Sequence, residues 1–217
     1  MKPRKPHLRP PRLSWPGLFL AFLGVLSLAP AQASQLVPQN LKQMIQAADV
    51  IVSGDVAQVR DGIENGVPFT EVTLRVKGSI KREMAKDSRY KFRQYGLLKN
   101  RKLPSGKYLL ASRIEGMPRW TVGEKVTAFL NKPSPRNGLT SPVGLAQGKL
   151  TASGSKVANA FDNQGLFRGM SVDPSHLNAA EADMLANKHG GAVEGGVLTN
   201  LVRRAVKEKW IEKGVMR

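Results

Sequence analysis

Ala48-Asp-Val-Ile-Val-Ser-Gly-Asp-Val-Ala-Gln-Val59 and, a short distance on, Thr70-Glu-Val-Thr-Leu-Arg-Val-Lys77 decide the fold of this chain. The first run is β-branched and nearly continuously apolar, which predicts a strand covered on both sides, and Gly54 in its middle predicts a bulge or sharp bend. In the second, Thr70, Val72, Leu74 and Val76 alternate with Glu71, Thr73, Arg75 and Lys77, the period of a half-buried antiparallel strand. Asp61-Gly62 and Asn65-Gly66 lie between them as turn residues, so the two runs are expected to pair as a hairpin.

Working outward, Leu41, Met44, Ile45 and Ala48 fall at helical spacing before the first strand, with Pro38 available to introduce a short amphipathic helix. Beyond the hairpin, strands are predicted over 89–95, 108–114, 125–130, 144–152 and 157–161, each bounded by Gly, Pro or Asn. Short strands at this spacing suggest a barrel or a sandwich. Residues 97–107 and 131–142 read as exposed loops by composition. The pattern then changes. Asp173-Pro-Ser175 can open a helix running to about Lys188, the Gly-rich stretch Gly190 to Gly196 interrupts it, and Val197, Leu198, Leu201, Val202, Ala205, Val206 and Trp210 form a second helical stripe. The expectation is a mainly β, α+β fold divided into a β domain over 34–161 and a C-terminal helical segment over 162–217.

Ahead of all this stands a leader. Lys2, Arg4, Lys5, Arg9 and Arg12 precede an apolar run from Leu18 to Ala29, and Ala31-Gln-Ala33 follows, the order of a secretory signal peptide over 1–33. Twelve or so apolar residues reach roughly 18 Å, well short of a hydrocarbon core about 30 Å thick. The segment is therefore read as cleaved, leaving no membrane span and a secreted or periplasmic protein.

The whole chain has 217 residues, 34 Lys plus Arg against 16 Asp plus Glu, a net charge of +18 and no cysteine. Without cysteine there is no disulfide framework, zinc ribbon, thiol nucleophile or iron–sulfur cluster, and no residue to carry the lipid of a bacterial lipoprotein. Past residue 33 the balance is still +13, with 29 basic residues against 16 acidic. Nearly all of it sits in one block, since residues 75–119 alone carry a net +11.

Within that block Arg89-Tyr-Lys-Phe-Arg93 alternates, sending Tyr90 and Phe92 to the core and Arg89, Lys91 and Arg93 to one outer face. A row of like charges repels itself unless an anion meets it. The candidate anion-binding surface is thus Arg89, Lys91 and Arg93, completed by Lys99, Arg101, Lys102 and Lys107 in the following loop. An anionic glycan, a lipid head group or an acidic protein would suit it. Nucleic acid suits it less, because the aromatics point inward and cannot stack on bases. The same residues serve equally as a solvated face that keeps a basic protein dispersed.

Catalytic chemistry is thin. After the leader only His176 and His189 remain, too few for a zinc site. His-Glu-x-x-His, Gly-x-Ser-x-Gly, the phosphate-binding Gly-x-x-x-x-Gly-Lys-Ser/Thr loop and a post-strand Gly-x-Gly-x-x-Gly are absent from the sequence. Gly190-Gly191 and Gly195-Gly196 read as a hinge, His189 as a residue at a helix C-terminus, and Asp49, Asp55 and Asp61 as too widely spaced for an acid pair. No metal, cofactor or catalytic residue is assigned. A hydrolase using scattered carboxylates such as Asp49 and Glu124 stands as an alternative to the binding module.

Ala48 to Val56, Thr70 to Val76, Gly116-Met-Pro-Arg-Trp120 leading to Gly123-Glu124, Phe129-Leu130 and Gly144-Leu-Ala-Gln-Gly-Lys149 together resemble a family of uncharacterised bacterial secreted proteins. The resemblance covers roughly residues 40–152. It implies a small barrel of the oligonucleotide/oligosaccharide-binding type, similar in layout to netrin-like modules and tissue inhibitors of metalloproteinases, and with it a second alternative, a restrainer or escort of a secreted protease. Those inhibitors reach the catalytic metal through an N-terminal cysteine, which this chain lacks. Cleavage between Ala33 and Ser34 is the first testable outcome: intact mass of the exported protein should match residues 34–217, and a mature species retaining Leu18 to Ala29 would restore the membrane anchor.

Overall fold

The computed structural model describes residues 36–111 and 114–217, and Leu36 to Arg217 form one compact unit. The expected signal peptide and its cleavage point lie outside the described residues.

The chain enters through α1 (Leu41–Ala47), which begins at the expected Leu41 and is capped by Asn40. Asn40 and Gln43 form a reciprocal capping box, and at the other end the half-buried Lys81 donates to the carbonyls of Ile45 and Ala48 at 2.5 and 2.9 Å. Helix and sheet are thereby tied together by a cation on the helix's negative end.

The hairpin expected from the sequence forms, and it is longer than expected. Strand β1 (Val50–Glu64) runs straight through Asp61-Gly62 and pairs antiparallel with β2 (Val67–Lys81). Only Asn65-Gly66 makes the turn, both at positive φ, as a two-residue hairpin loop requires. Gly62 remains in the ladder because Phe69 lies opposite it, and a Cβ there would come within 2.7 Å of the Phe69 ring.

Three register shifts bend the first half of β1, between Ile51 and Val52, Ser53 and Gly54, and Val56 and Gln58. At Gly54 a Cβ would stand 2.4 Å from the carbonyl oxygen of Arg75, so the close approach of the two strands admits glycine alone.

The remaining strands are β3 (Arg89–Tyr95), the small separate pair β4 (Arg101–Lys102) and β5 (Tyr108–Leu109), then β6 (Lys125–Leu130), β7 (Lys149–Ser153), β8 (Lys156–Ala158) and β9 (Val193–Glu194). The main sheet has the order β3-β2-β1-β6-β7-β8-β9, all antiparallel. The expected closed barrel is corrected to an open sheet, because β7, β8 and β9 extend away from β6 instead of curling back to β3. Where a barrel would close, the segment 131–142 reaches across with single bridges, Pro142 to Leu130 on β6 and Leu139 to Arg93 on β3.

Two hydrophobic clusters lie on opposite faces of the sheet. The concave face holds Val50, Val52, Val56, Val72, Leu74, Val76, Val126 and Leu130, roofed by Phe92 and Trp120. On the other face Ile51, Phe129 and Leu150 meet α1, α2 (Ala179–Ala186), α3 (Gly195–Lys207) and Trp210. Val50-Ile51-Val52 is apolar throughout because successive side chains enter different clusters. From Ser53 onward the outer side of β1 is only half-covered.

Several expected elements move. The strand expected over 144–152 begins at Lys149, since Gly144 and Leu145 are left-handed and Leu145–Gly148 forms a 3-10 turn. The one expected over 108–114 shortens to β5. Asp173 caps a single turn, Pro174–His176, while Asn178 opens the actual helix α2 with its own capping box to Glu181. The glycine-flanked hinge contains β9, an edge strand. Helix α3 ends at Lys207, and Lys209 in the left-handed conformation turns Trp210 back so that its amide donates to Ala205.

Leu74 is fully buried in the concave cluster, so Leu74→Ala should cost about 2–5 kcal/mol in denaturant unfolding. Gly54→Ala should cost about 1–3 kcal/mol by overpacking against the Arg75 carbonyl. A change below half of the lower figure in either variant would mean that the hairpin is not central to the fold.

Candidate functional site

Strand β3 has the expected ends and the expected alternation, with Phe92 and Gln94 buried and Arg89 and Lys91 exposed on the opposite side. Phe92 packs edge-on against Trp120 at 5.1 Å between ring centroids. The Trp120 indole N–H donates to Gln94 Oε1 at 2.9 Å, and Gln94 Nε2 donates to the Pro118 carbonyl at 3.2 Å. A polar clasp under the aromatic roof thus fixes the strand's face.

The outer face is not the uniform basic row that the sequence predicts. Glu71 on β2 projects outward yet is only 5% exposed, because Arg60 on one flank and Arg93 on the other lie across it. Arg60 Nε reaches Glu71 Oε1 at 2.7 Å and Arg93 Nε reaches Oε2 at 2.9 Å. Arg93 also binds Glu64 at 2.7 Å and stacks over Phe69. Burial pushes the Glu71 carboxyl up, but the hydrogen bonds from Arg93 and Arg60 outweigh it and hold the group below its ordinary value. Arg93 is therefore a neutralised member of an Arg–Glu–Arg stack.

The other expected cations divide as well. Arg101 on β4 binds the Asp61 side chain and donates to the Asp61 carbonyl at 2.8 Å. Asp61 also accepts the amides of Leu98 and Lys99 at 2.8 and 3.2 Å. Those bonds outweigh its burial and keep its carboxyl low. Lys99, Lys102 and Lys107 are exposed on the β4–β5 hairpin, which sits at the Asp61 end of the sheet. Asp61 faces Thr70, and Thr70 faces Gln94, five residues along β3 from Arg89. At about 3.3 Å per residue the two groups of cations are roughly 16 Å apart along the strand, and they do not form one surface.

What Arg89 and Lys91 join instead is Arg75, directly opposite Arg89 across the β2–β3 ladder. Among the described residues Arg75, Arg89 and Lys91 make no ion pair, whereas the nearby acids are occupied: Asp87 binds Lys77 at 2.8 Å, and Asp55, facing Arg75 from β1, turns to Lys77 at 3.8 Å. Asp87 is held below its ordinary value first by the hydrogen bond from Lys77 and then by Lys77, Lys86 and Arg75 as neighbouring charges. Arg75 was not among the expected site residues. Its place follows from the short β2–β3 connection, which fixes the register that sets it against Arg89.

A cleft of about 710 Å³ and a second of about 650 Å³ lie on either side of the strap Gly116–Arg119. The strap is pinned by Lys149, whose ammonium donates to the Arg119 carbonyl at 2.5 Å and to Glu124 at 2.6 Å beneath the Trp120 ring. Glu124 is thereby engaged in holding the strap. Asp49, ion-paired to Arg82 at 2.8 Å, stands before the first residue of β1, while Glu124 stands before the first residue of the antiparallel β6. Val50 faces Leu130 and Asp55 faces Lys125, so the two carboxylates sit at opposite ends of that ladder and do not meet. Among the described residues no group of three His, Asp or Glu side chains could hold a metal ion, and no helix is long and apolar enough to cross a membrane.

Comparison with known proteins yields no matching family model, no matching curated protein and no matching solved structure.

Because the Glu71 carboxyl is lowered in the folded chain, its stabilising effect is complete above its ordinary value of 4.5 and is lost as the pH falls through the lower folded value. Urea unfolding across this range should show stability falling below about pH 4.5, with a shallower fall in Glu71→Gln. An identical acid limb in both proteins would contradict the role given to the Arg60–Glu71–Arg93 stack.

Proposed function

We propose that this chain is an exported, non-enzymatic binding module that holds an anionic partner or surface on the β2–β3 face. The observation that carries the reading is the placement of Arg75 opposite Arg89, with Lys91 beside them. Like charges directly opposed across a ladder destabilise it, and elsewhere on this face the arrangement supplies carboxylates, as Glu71 does for Arg60 and Arg93. At Arg75 and Arg89 an external anion would take that place. Guanidinium groups suit such a partner because their planar forks match carboxylate, sulfate and phosphate oxygens in bidentate fashion.

Retention on a heparin column at several salt concentrations tests the proposal. Arg89→Glu combined with Lys91→Glu should elute at much lower salt and lose much of the salt dependence, since the charges are exposed and screened over about 10 Å at 0.1 M. Folding should survive because Phe92 and Gln94 keep the core side of β3. Lys107→Glu, on the separate hairpin, should change retention little. Wild-type retention by the folded double variant would show that this face is only solvated.

A further inference from the structure

The β4–β5 hairpin is amphipathic in a way that the basic-face argument does not use. Arg101 and Leu109 form one cross-strand pair and Lys102 and Tyr108 the next, so the two pairs point to opposite sides. The Arg101 side turns to the sheet, where its guanidinium is tied to Asp61. Asn100 extends the hairpin by accepting the amide of Ala111 at 2.8 Å. By the same two-residue period Lys102, Tyr108 and Leu110 fall on the side away from Asp61, while Leu98 lies in the bend that leads into β4. They stand in solvent, with Leu98 55% exposed and Tyr108 and Leu110 64% each. Lys99 and Lys107 are exposed beside them. From Tyr95 to Ala111 there is no acidic residue, and Asp61, the one acid reaching this hairpin from β1, is taken up by Arg101 and by the amides of Leu98 and Lys99.

We propose that this hairpin face docks on an anionic lipid surface, with Leu98, Tyr108 and Leu110 entering the interface and Lys99, Lys102 and Lys107 meeting the head groups. Charge complementarity selects the occupant. Tyr108 and Leu110 share one small face with Lys102, and Leu98, Lys99 and Lys107 are exposed next to these residues in the chain, with no carboxylate among them. That is what a lipid–water boundary accommodates, because lysine stems lie along apolar surface while their heads stay with the phosphates, and tyrosine spans the boundary. Attachment is peripheral, and the rigid anchor at Asp61 presents the face without a folding step. The proposal does not rest on the anion-binding reading of Arg75, Arg89 and Lys91, which lie at the far end of β3.

Co-sedimentation of the protein with phosphatidylcholine vesicles, with and without phosphatidylglycerol, is the test. Binding is expected only with phosphatidylglycerol. It should fall on the order of tenfold in Leu98→Ser with Leu110→Ser, and by a similar factor in Lys99→Glu with Lys102→Glu, as each removes one of the two signals that peripheral binding combines. Leu98→Ser with Leu110→Ser should keep its retention on heparin, which separates this surface from the heparin-retaining one. In Tyr108→Trp the emission should shift to the blue on phosphatidylglycerol vesicles. No vesicle binding by the parent, undiminished binding by the folded Leu98/Leu110 variant, no shift in Tyr108→Trp, or capture of a soluble acidic protein by this hairpin in place of vesicles would each overturn the proposal.

Discussion

The approach of β1 to the Arg75 carbonyl at Gly54 is the constraint on which the molecule depends. By admitting a backbone where a side chain would otherwise stand, it lets two fifteen-residue strands coil instead of running flat. The coil curves the hairpin around the Val52–Leu74–Val76 cluster and leaves Ile51 on the other face for the helices. One glycine therefore permits a single sheet to serve two cores, while the unshifted β2–β3 register places Arg75 against Arg89.

Charge on the outer face is organised by that register. Glu71 lies in the central strand of three and is covered by arginines from both neighbours, a stack whose desolvation is offset because both carboxylate oxygens are bonded. The cations left over fall into two sets at opposite ends of β3, one a guanidinium pair with a lysine and the other lysines next to apolar side chains. A single excess of positive charge in the composition is thus two chemically different surfaces in space, because guanidinium groups lead one and ammonium groups the other.

Local signals in the sequence were sufficient where neighbours agreed with them. Residues 89–95 and 125–130 form strands with the expected ends, and the bend at Gly54 and the double coverage of Val50–Val52 follow from composition alone. Local signals failed where a distant partner overruled them. Asp61-Gly62 has turn chemistry, but Arg101 holds Asp61 and the Phe69 ring lies over Gly62, so the strand continues. Val193–Glu194 is invisible among glycines, since its only reason to be a strand is β8, nearly forty residues upstream. Arg89, Lys91 and Arg93 look alike in sequence. Arg93 differs because Glu71 and Glu64 converge on it, and no spacing rule encodes that convergence.

An open sheet has edges, and edges invite other strands. Here one edge is β9, two residues long, and the other is β3, where Thr140 donates to the Arg93 carbonyl and so occupies part of the row. The unoccupied stretch of β3 carries Arg89 and Lys91, charged side chains of the kind that discourage a second copy from pairing edge to edge. Forgoing closure therefore leaves little backbone on offer for β-addition, the β3 rim being guarded against a second copy by the loop 131–142 and by two like charges.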